Sequence, residues 1–293
     1  MTVGFGLFLP QARLTYDAFL ERALVAEAEG FESVWFMDHL WAAGAPELDT
    51  LEGWTLATAI AARTTRLRVG HMVLCDAFRH PSLLAKMATT LDHISNGRLD
   101  LGIGWGSLPD EIKAYGFGDA PASERSARLR ETLEILRLLF TGEPVTYKGP
   151  FFQLDGAFCH PTPVQQPLPI HIGGGGEKFT MPLVREFADW WNCPVTAVAH
   201  LADLLPQRGT ARVSTQHVVA LVEHEAERER VTEVAQRRFG SWGGLVLGTP
   251  DEVATQLRRE VEMGVERFVI QLWDFASPAS IELFARDVIP QLA

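Results

Sequence analysis

The sequence predicts an α/β fold of the (β/α)8 kind, a single TIM barrel with an insertion, a long loop plus a hairpin, after its fourth strand. Three observations lead there. Short apolar runs alternate with amphipathic helical runs, which implies a parallel sheet covered by helices. Eight such units follow one another along the 293 residues. That count, in a chain near ~250 residues plus an insertion, fits a closed barrel. An open doubly wound sheet is the alternative. No shift in composition marks a boundary, so residues 1–293 read as one domain.

The first strand is the apolar run Val3 to Pro10. Thr15 can cap the next helix, in which Phe19, Leu20, Ala23, Leu24 and Ala26 form one apolar side and Gly30 is the stop. Ser33 to Met37 is the second strand and runs directly into Asp38-His39. A loop to about Gly53 leads to a helix carrying Leu56 and Ile60. The third strand, Leu67 to Cys75, is followed by a helix opened by His80-Pro81, since Pro suits the first helical position. Gly97 stands where a left-handed stop is wanted. The fourth strand then ends in glycines at 102, 104 and 106. Alternate residues share a strand face, so that face has no side chains at its tip. Tight core packing and close approach of a ligand are both readings of such a tip; three glycines in alternation favour the ligand.

From Pro109 to Pro121 the chain reads as a long polar connection with glycine and proline breaks. A helix over Glu124–Phe140 follows, stopped by Gly142. Val145 to Phe158 alternates around Lys148-Gly149-Pro150, a hairpin outside the main repeat. Pro169 to Ile172 is the fifth strand and enters four glycines, with a helix beginning near Glu177. Ala188 to Cys193 is the sixth strand, Val195 to Leu205 a helix, Ser214 to Val222 the seventh strand and Glu223 to Arg238 a charged, solvated helix. Thr249-Pro250-Asp251-Glu252 forms a capping box. Arg267 to Trp273 and Pro278 to Ile289 are the last strand and helix.

A formal net charge of −11 argues against a nucleic-acid partner, which would need a basic stripe. The three scattered cysteines, Cys75, Cys159 and Cys193, indicate neither a disulfide framework nor a zinc site. There is no basic N-terminal region and no apolar stretch near the ~20 residues that span a bilayer, so a cytoplasmic protein without membrane contact is expected.

Ligands of such a barrel bind at the C-terminal ends of the strands. There the sequence places Asp38-His39, His71 to Cys75, Gly104 to Ser107, Gly173 to Glu177, Asn192, and Gln271 to Asp274. Gly173 to Gly176 with Glu177 and Lys178 is the best phosphate candidate, because glycine amides can turn towards an anion and Lys178 adds a local cation. A flexible loop is the alternative. His39 is a candidate acid or base, against an Asp cap and a backbone-satisfied His. His71 reads as packing or support, His80 as a turn residue, Trp105 as a stacking platform or core. No metal site is expected, since neither His-x-His nor His-Glu-x-x-His occurs, and no Gly-x-Ser-x-Gly points to an esterase nucleophile.

At these residues the sequence resembles the bacterial-luciferase-like superfamily, and within it the oxidoreductases that depend on the deazaflavin coenzyme F420. The matching pieces are Gly30-Phe-Glu-Ser-Val-Trp-Phe-Met-Asp-His39, His80-Pro81 with Ala85-Lys-Met-Ala-Thr-Thr-Leu-Asp92, and Ile94-Ser-Asn-Gly-Arg-Leu-Asp-Leu-Gly-Ile-Gly104. They continue with Glu124-Arg125, Leu138-Leu-Phe-Thr-Gly-Glu-Pro144, Pro161 to Gln165, and Ile172-Gly-Gly-Gly-Gly-Glu-Lys178. The resemblance implies a flavin-like ring lying at the strand C-termini, its phosphate on Gly173–Gly176. It implies a cis peptide joining Met72 to Val73 and pressing behind the ring. Asp38 and His39 would flank the reactive side and be the catalytic pair, with His39 exchanging the proton. Cofactor contacts would come from Asp38, Met72, Val73, Gly104, Trp105, Gly106, Gly173, Gly174, Gly175, Gly176, Glu177, Lys178 and Asn192.

The expected activity is therefore hydride transfer between F420 and a small organic substrate, by a homodimer. A two-component monooxygenase using reduced FMN is the alternative, and a non-catalytic flavin-binding barrel is the alternative from another class. Two departures from the family pattern matter. Ser107 stands where relatives acting on sugar phosphate carry Glu, which argues against that substrate. Trp190 stands where many relatives have Gly, and its bulk is expected to narrow the pocket or shift the cofactor loop. Trp41, Trp54, Phe78, Phe117 and Phe158 suggest an apolar or aromatic substrate.

Overall fold

The computed structural model describes residues 3–292. In chain order the elements are β1 (Gly4–Phe8), α1 (Tyr16–Ala28), β2 (Ser33–Phe36), α2 (Gly53–Ala61), β3 (Arg68–His71), β4 (Leu74–Cys75), α3 (Pro81–Ser95), β5 (Leu99–Gly104), α4 (Pro109–Ala114) and α5 (Ala122–Leu139). They continue with β6 (Val145–Lys148), β7 (Gln153–Ala157), β8 (Ile170–Gly173), α6 (Thr180–Phe187), β9 (Trp190–Cys193), α7 (Leu201–Leu204), β10 (Arg212–Leu221), α8 (Arg228–Phe239), β11 (Leu245–Gly248), α9 (Pro250–Glu262), β12 (Arg267–Leu272) and α10 (Pro278–Asp287).

The sheet runs β10-β12-β1-β2-β3-β5-β8-β9 and returns to β10, all parallel. This is the closed eight-stranded barrel that the strand–helix alternation predicts. β3 and β4 are one barrel strand broken at Met72-Val73, and that peptide bond is cis. β6 and β7 pair antiparallel as the expected hairpin.

Strand parity sets the layers. Leu99, Leu101 and Ile103 of β5 face outward and pack with Leu84, Leu91 and Leu133 of the covering helices in the main apolar core. Asp100, Gly102 and Gly104 take the other parity and face the barrel interior. Helix signals behave as their chemistry dictates. Thr15 caps α1 by accepting from the Ala18 N–H, and His80 accepts from the Ser82 N–H ahead of Pro81. At Thr249 the capping box forms in full.

Several elements depart from the sequence expectations. The stop of α3 is carried by Asn96, left-handed at φ 55°, with Gly97 following at φ 79°. The connection after Ser107 is not all loop: Pro109 starts α4, with Asp110 and Glu111 in its first turn. Val195 to Leu205 does not form one helix but short 3-10 pieces around α7. The helix after the glycines starts at Thr180 rather than near Glu177. β11 is an unexpected extra strand. It continues the edge of β10 at Val218 to Leu221, beyond the stretch, Arg212 to Thr215, that pairs with β9.

Candidate active site

A cavity of about 340 Å³ opens at the C-terminal ends of the strands. Of the residues singled out in the sequence, Asp38, His39, Met72, Val73, Gly104, Trp105, Gly106, Gly173 to Gly176 and Asn192 all line it. Glu177 and Lys178 stand outside that lining. Glu177 accepts from Gln207 Nε2, and the Lys178 ammonium lies over the Phe179 ring at 5.2 Å.

The alternating glycines have a more specific reason than an open strand tip. A Cβ on Gly102 would fall 1.9 Å from the His71 carbonyl oxygen. On Gly104 and Gly173 it would fall 2.7 Å and 2.9 Å from the methyl groups of Val73. What approaches these backbones is the chain's own Met72-Val73 turn, which carries Val73 between β5 and β8 into the mouth. Any flat ring entering the cavity then meets Val73.

The glycine loop is braced from three sides. Gly174 N–H donates to the Asn192 carbonyl, Trp191 Nε1–H donates to the Gly174 carbonyl at 2.8 Å, and the Thr180 and Met181 N–H groups donate to the Gly176 carbonyl. The N–H groups of Gly175, Gly176 and Glu177 make no hydrogen bond among the described residues, and no side chain caps α6. Three free amides ahead of an uncapped helix fit an anion such as a cofactor phosphate. Asn192 adds a second sign of fit. Its Nδ2 donates to Ser214 Oγ, while its Oδ1 is buried without a partner. A ring N–H in the cavity would satisfy it.

Trp190 requires a correction. It touches neither cavity nor loop. Two residues along a strand are ~6.6 Å, so it sits one layer below Asn192, stacked on His171 at 5.5 Å with Arg267 over it at 4.4 Å. Trp191, on the opposite parity, is the residue that holds the loop.

On the other side of the cavity stand two carboxylates, Asp38 and Glu111, and sequence reasoning missed both Arg79, the partner of Asp38, and Glu111, the partner of His39. Asp38 accepts from the Cys75 N–H at 2.7 Å and from Arg79 through both oxygens, at 2.7 and 2.9 Å. Arg79 also reaches Glu52, which caps α2. Asp38 thereby ties the end of β2 to the segment after Val73. Glu111 is nearly inaccessible. One of its oxygens lies 2.7 Å from His39 Nδ1, and the other accepts from the Leu40 and Trp41 N–H groups. A carboxylate against Nδ1 keeps the proton there and leaves Nε2 as the nitrogen available to a ligand. The signal that could have found Glu111 was Pro109-Asp110-Glu111, a helix start with acids in its first turn.

His71 is packing, as one of its readings had it. It is fully buried, stacked on Trp54 at 5.3 Å, and burial lowers its pKa. Burial pushes the Cys75 thiol up to about 12, which leaves it a poor nucleophile. Gln271 is buried in β12, and Asp274 is engaged by Ser277 and Ser280, so neither lines the cavity. Among the described residues no group of three or more His, Cys, Asp or Glu is placed to hold a metal, and no helix is long and apolar enough to cross a membrane.

The luciferase-like monooxygenase family model matches residues 3–208. This chain belongs to that family. It is 30% identical, over 93% of its own length and 93% of the relative's, to a protein of Amycolatopsis mediterranei (strain U-32) called F420-dependent glucose-6-phosphate dehydrogenase. Its fold superposes on an F420-dependent secondary alcohol dehydrogenase in complex with an F420-acetone adduct, with TM-score 0.83, 19% identity and 100% of both chains covered. It also superposes on a Baeyer-Villiger monooxygenase component from Pseudomonas putida in complex with FMN, with TM-score 0.76, 18% identity, and 100% of this chain and 99% of that one covered. The luciferase-like chain described here is therefore an enzyme of this family, and the expectation of a non-catalytic barrel gives way.

Proposed function

We propose that this luciferase-like enzyme is an oxidoreductase that transfers a hydride between coenzyme F420 and a small organic substrate. The observation that carries the proposal is the pairing, in one cavity, of a free-amide glycine loop with a carboxylate-oriented histidine on the opposite wall. The F420-dependent relative aligned along nearly the whole chain supports the choice of cofactor.

When bound, F420 supplies the carbon that accepts or gives hydride. The free amides of Gly175, Gly176 and Glu177 would take its phosphate, with Gly173 and Gly174 shaping the loop, Val73 and Met72 would back the ring, and Asn192 Oδ1 would accept a ring N–H. Gly104, Trp105 and Gly106 would border it, with Glu177 and Lys178 at the outer edge of the loop. Glu111 holds the His39 Nδ1–H, and Nε2 takes or returns the proton of a substrate oxygen. Asp38, with its oxygens on Arg79 and the Cys75 amide, positions the wall rather than moving a proton.

The proposal covers residues 1–293 as one domain, since β12 pairs with β1 and so joins the two ends of the chain. It extends to a cytoplasmic homodimer: the three free, buried thiols suit a reducing compartment, and the exposed Leu83 and Ile94 of α3 suit a subunit contact. Reduced FMN is the second reading, because the same amide loop suits any flavin phosphate.

Titrating the cofactor-free protein separately with F420 and FMN tests the choice. Saturable quenching of F420 fluorescence, with FMN binding more weakly, is expected. Tight FMN binding with no response to F420 would transfer the assignment to the monooxygenase.

A further inference from the structure

The substrate's share of the cavity can be classed by charge. Its walls are apolar at Leu74, Leu108 and Ile112, polar but neutral at Ser107, and acidic at Asp38 and Glu111. Among the described residues no Lys or Arg lines it. Arg79 is spent on Asp38 and Glu52. Arg128 is bound to the side chain and carbonyl of Asp76. Lys113 pairs with Asp119 in solvent, and Arg125, which has no carboxylate partner among the described residues, lies against the Trp105 ring at 5.0 Å and outside the cavity lining. A phosphate or carboxylate placed here would lose its water and meet an excess of acid in exchange, since Asp38 and Glu52 share the one guanidinium of Arg79 and Glu111 has only His39 and two backbone amides. Burying an ion without a partner carries a penalty large enough to exclude it.

We propose that the substrate is an uncharged alcohol, or the corresponding carbonyl compound, on an apolar frame, and that phosphate esters and carboxylates are rejected. This rests on the hydride-transfer reading above, and it separates the chain from its relative named for glucose-6-phosphate. In the oxidative direction the carbinol C–H bond breaks and both its electrons leave as hydride to F420. The hydroxyl proton passes to His39 Nε2, and the C=O double bond forms. Reduction runs the same steps in reverse. The two acids that repel an anion are the ones that set this geometry, Glu111 through His39 and Asp38 through the wall it ties down.

The test is a matched pair, cyclohexanone and its ring-carboxylated analogue, with glucose-6-phosphate as a third ligand. Binding to the F420-loaded protein is read by saturation-transfer NMR, and turnover by F420 absorbance. The neutral ketone should be favoured by roughly a hundredfold or more. In a Leu108→Lys variant the carboxylated analogue should gain at least about tenfold against the neutral one. Equal or tighter binding of either anion to the unmodified protein would overturn the proposal. So would failure of all three ligands to bind while F420 fluorescence remains quenched. If F420 itself does not bind, the cofactor reading falls, and the same pair read by NMR on the unloaded protein still decides the charge class.

Discussion

At the floor of the barrel, Asp100 accepts from Arg68 and Arg267, and His171 lies 3.5 Å from the same carboxylate. At the mouth, Asp38 accepts from Arg79 and His39 sits against Glu111. The residue types are the same. The floor is closed on itself: Trp35 of β2 reaches across the interior to His171 of β8 at 5.1 Å, and His171 is fully buried. The mouth is left open on one side, with the His39 side chain 20% exposed, the loop amides unpaired and Asn192 Oδ1 unsatisfied. Burial opposes the Asp100 charge, yet Arg267, His171 and Arg68 outweigh it and hold the carboxyl well below its ordinary range. The floor is not fully hydrogen-bonded either, since both His171 ring nitrogens and Arg267 Nε lack partners there; what separates the two ends is that the floor is sealed by its own side chains while the unpaired groups of the mouth face a cavity.

Breaking each end should therefore show in a different measurement. The largest effect is expected at the mouth. Replacing the imidazole proposed to exchange the proton, His39→Asn, should lower kcat/KM by ~10²–10⁴ while the thermal midpoint stays within a few degrees. Glu111→Gln keeps a hydrogen-bonding side chain beside Nδ1 but removes the charge. It should cost less, roughly tenfold to a hundredfold, and should move the pH profile of kcat, a shift that a purely structural role would not produce. If His39→Asn unfolds the protein but leaves specific activity intact, the roles of floor and mouth have been assigned the wrong way round.

The converse variant, Asp100→Ala, strips the buried Arg267 and the half-buried Arg68 of their carboxylate and should destabilise the fold by about 3–5 kcal/mol in urea unfolding. F420 affinity, measured where the variant remains folded, should change little. A loss below ~1 kcal/mol would mean that the floor network is not holding the barrel.

The smallest effect concerns acid. Burial lowers the pKa of both His71 and His171 from the ordinary value of 6.5. The unfolded chain then takes up those protons first as pH falls. Their contribution to stability is complete above about pH 6.5 and declines below it, by up to ~1.4 kcal/mol per histidine per pH unit. Asp100 is shifted in the same direction, downward, but by its cationic partners against the effect of burial, and it begins to matter only as pH drops through the ordinary carboxylate range near ~4. Unfolding free energies measured between about pH 7.5 and 5.5 should fall, and a His71→Phe/His171→Phe double variant should flatten that slope. An unchanged slope in the double variant would place the acid sensitivity elsewhere.

Much of the molecule was legible before folding. Apolar runs of strand length alternating with helical periods dictate a parallel sheet under helices, and eight of them close it. Turn and cap chemistry at Thr15, Pro81 and Thr249 is local, so it reads directly from neighbouring residues. Alternate glycines at 102 and 104 announce that something must come close to that strand. What comes close was not legible, because it is the chain's own Val73, delivered from a different strand. Glu111 finds His39 across 72 residues, and Arg79 finds Asp38 across 41. Trp190 and Trp191 are adjacent in sequence yet lie on opposite sides of the sheet, one stacked in the floor and one bracing the loop. Period and propensity are set by covalent neighbours, so the sequence alone determined the barrel and the ring of strand ends at which the cavity opens. The partners of each charged group were decided only when barrel closure brought distant loops within hydrogen-bonding distance.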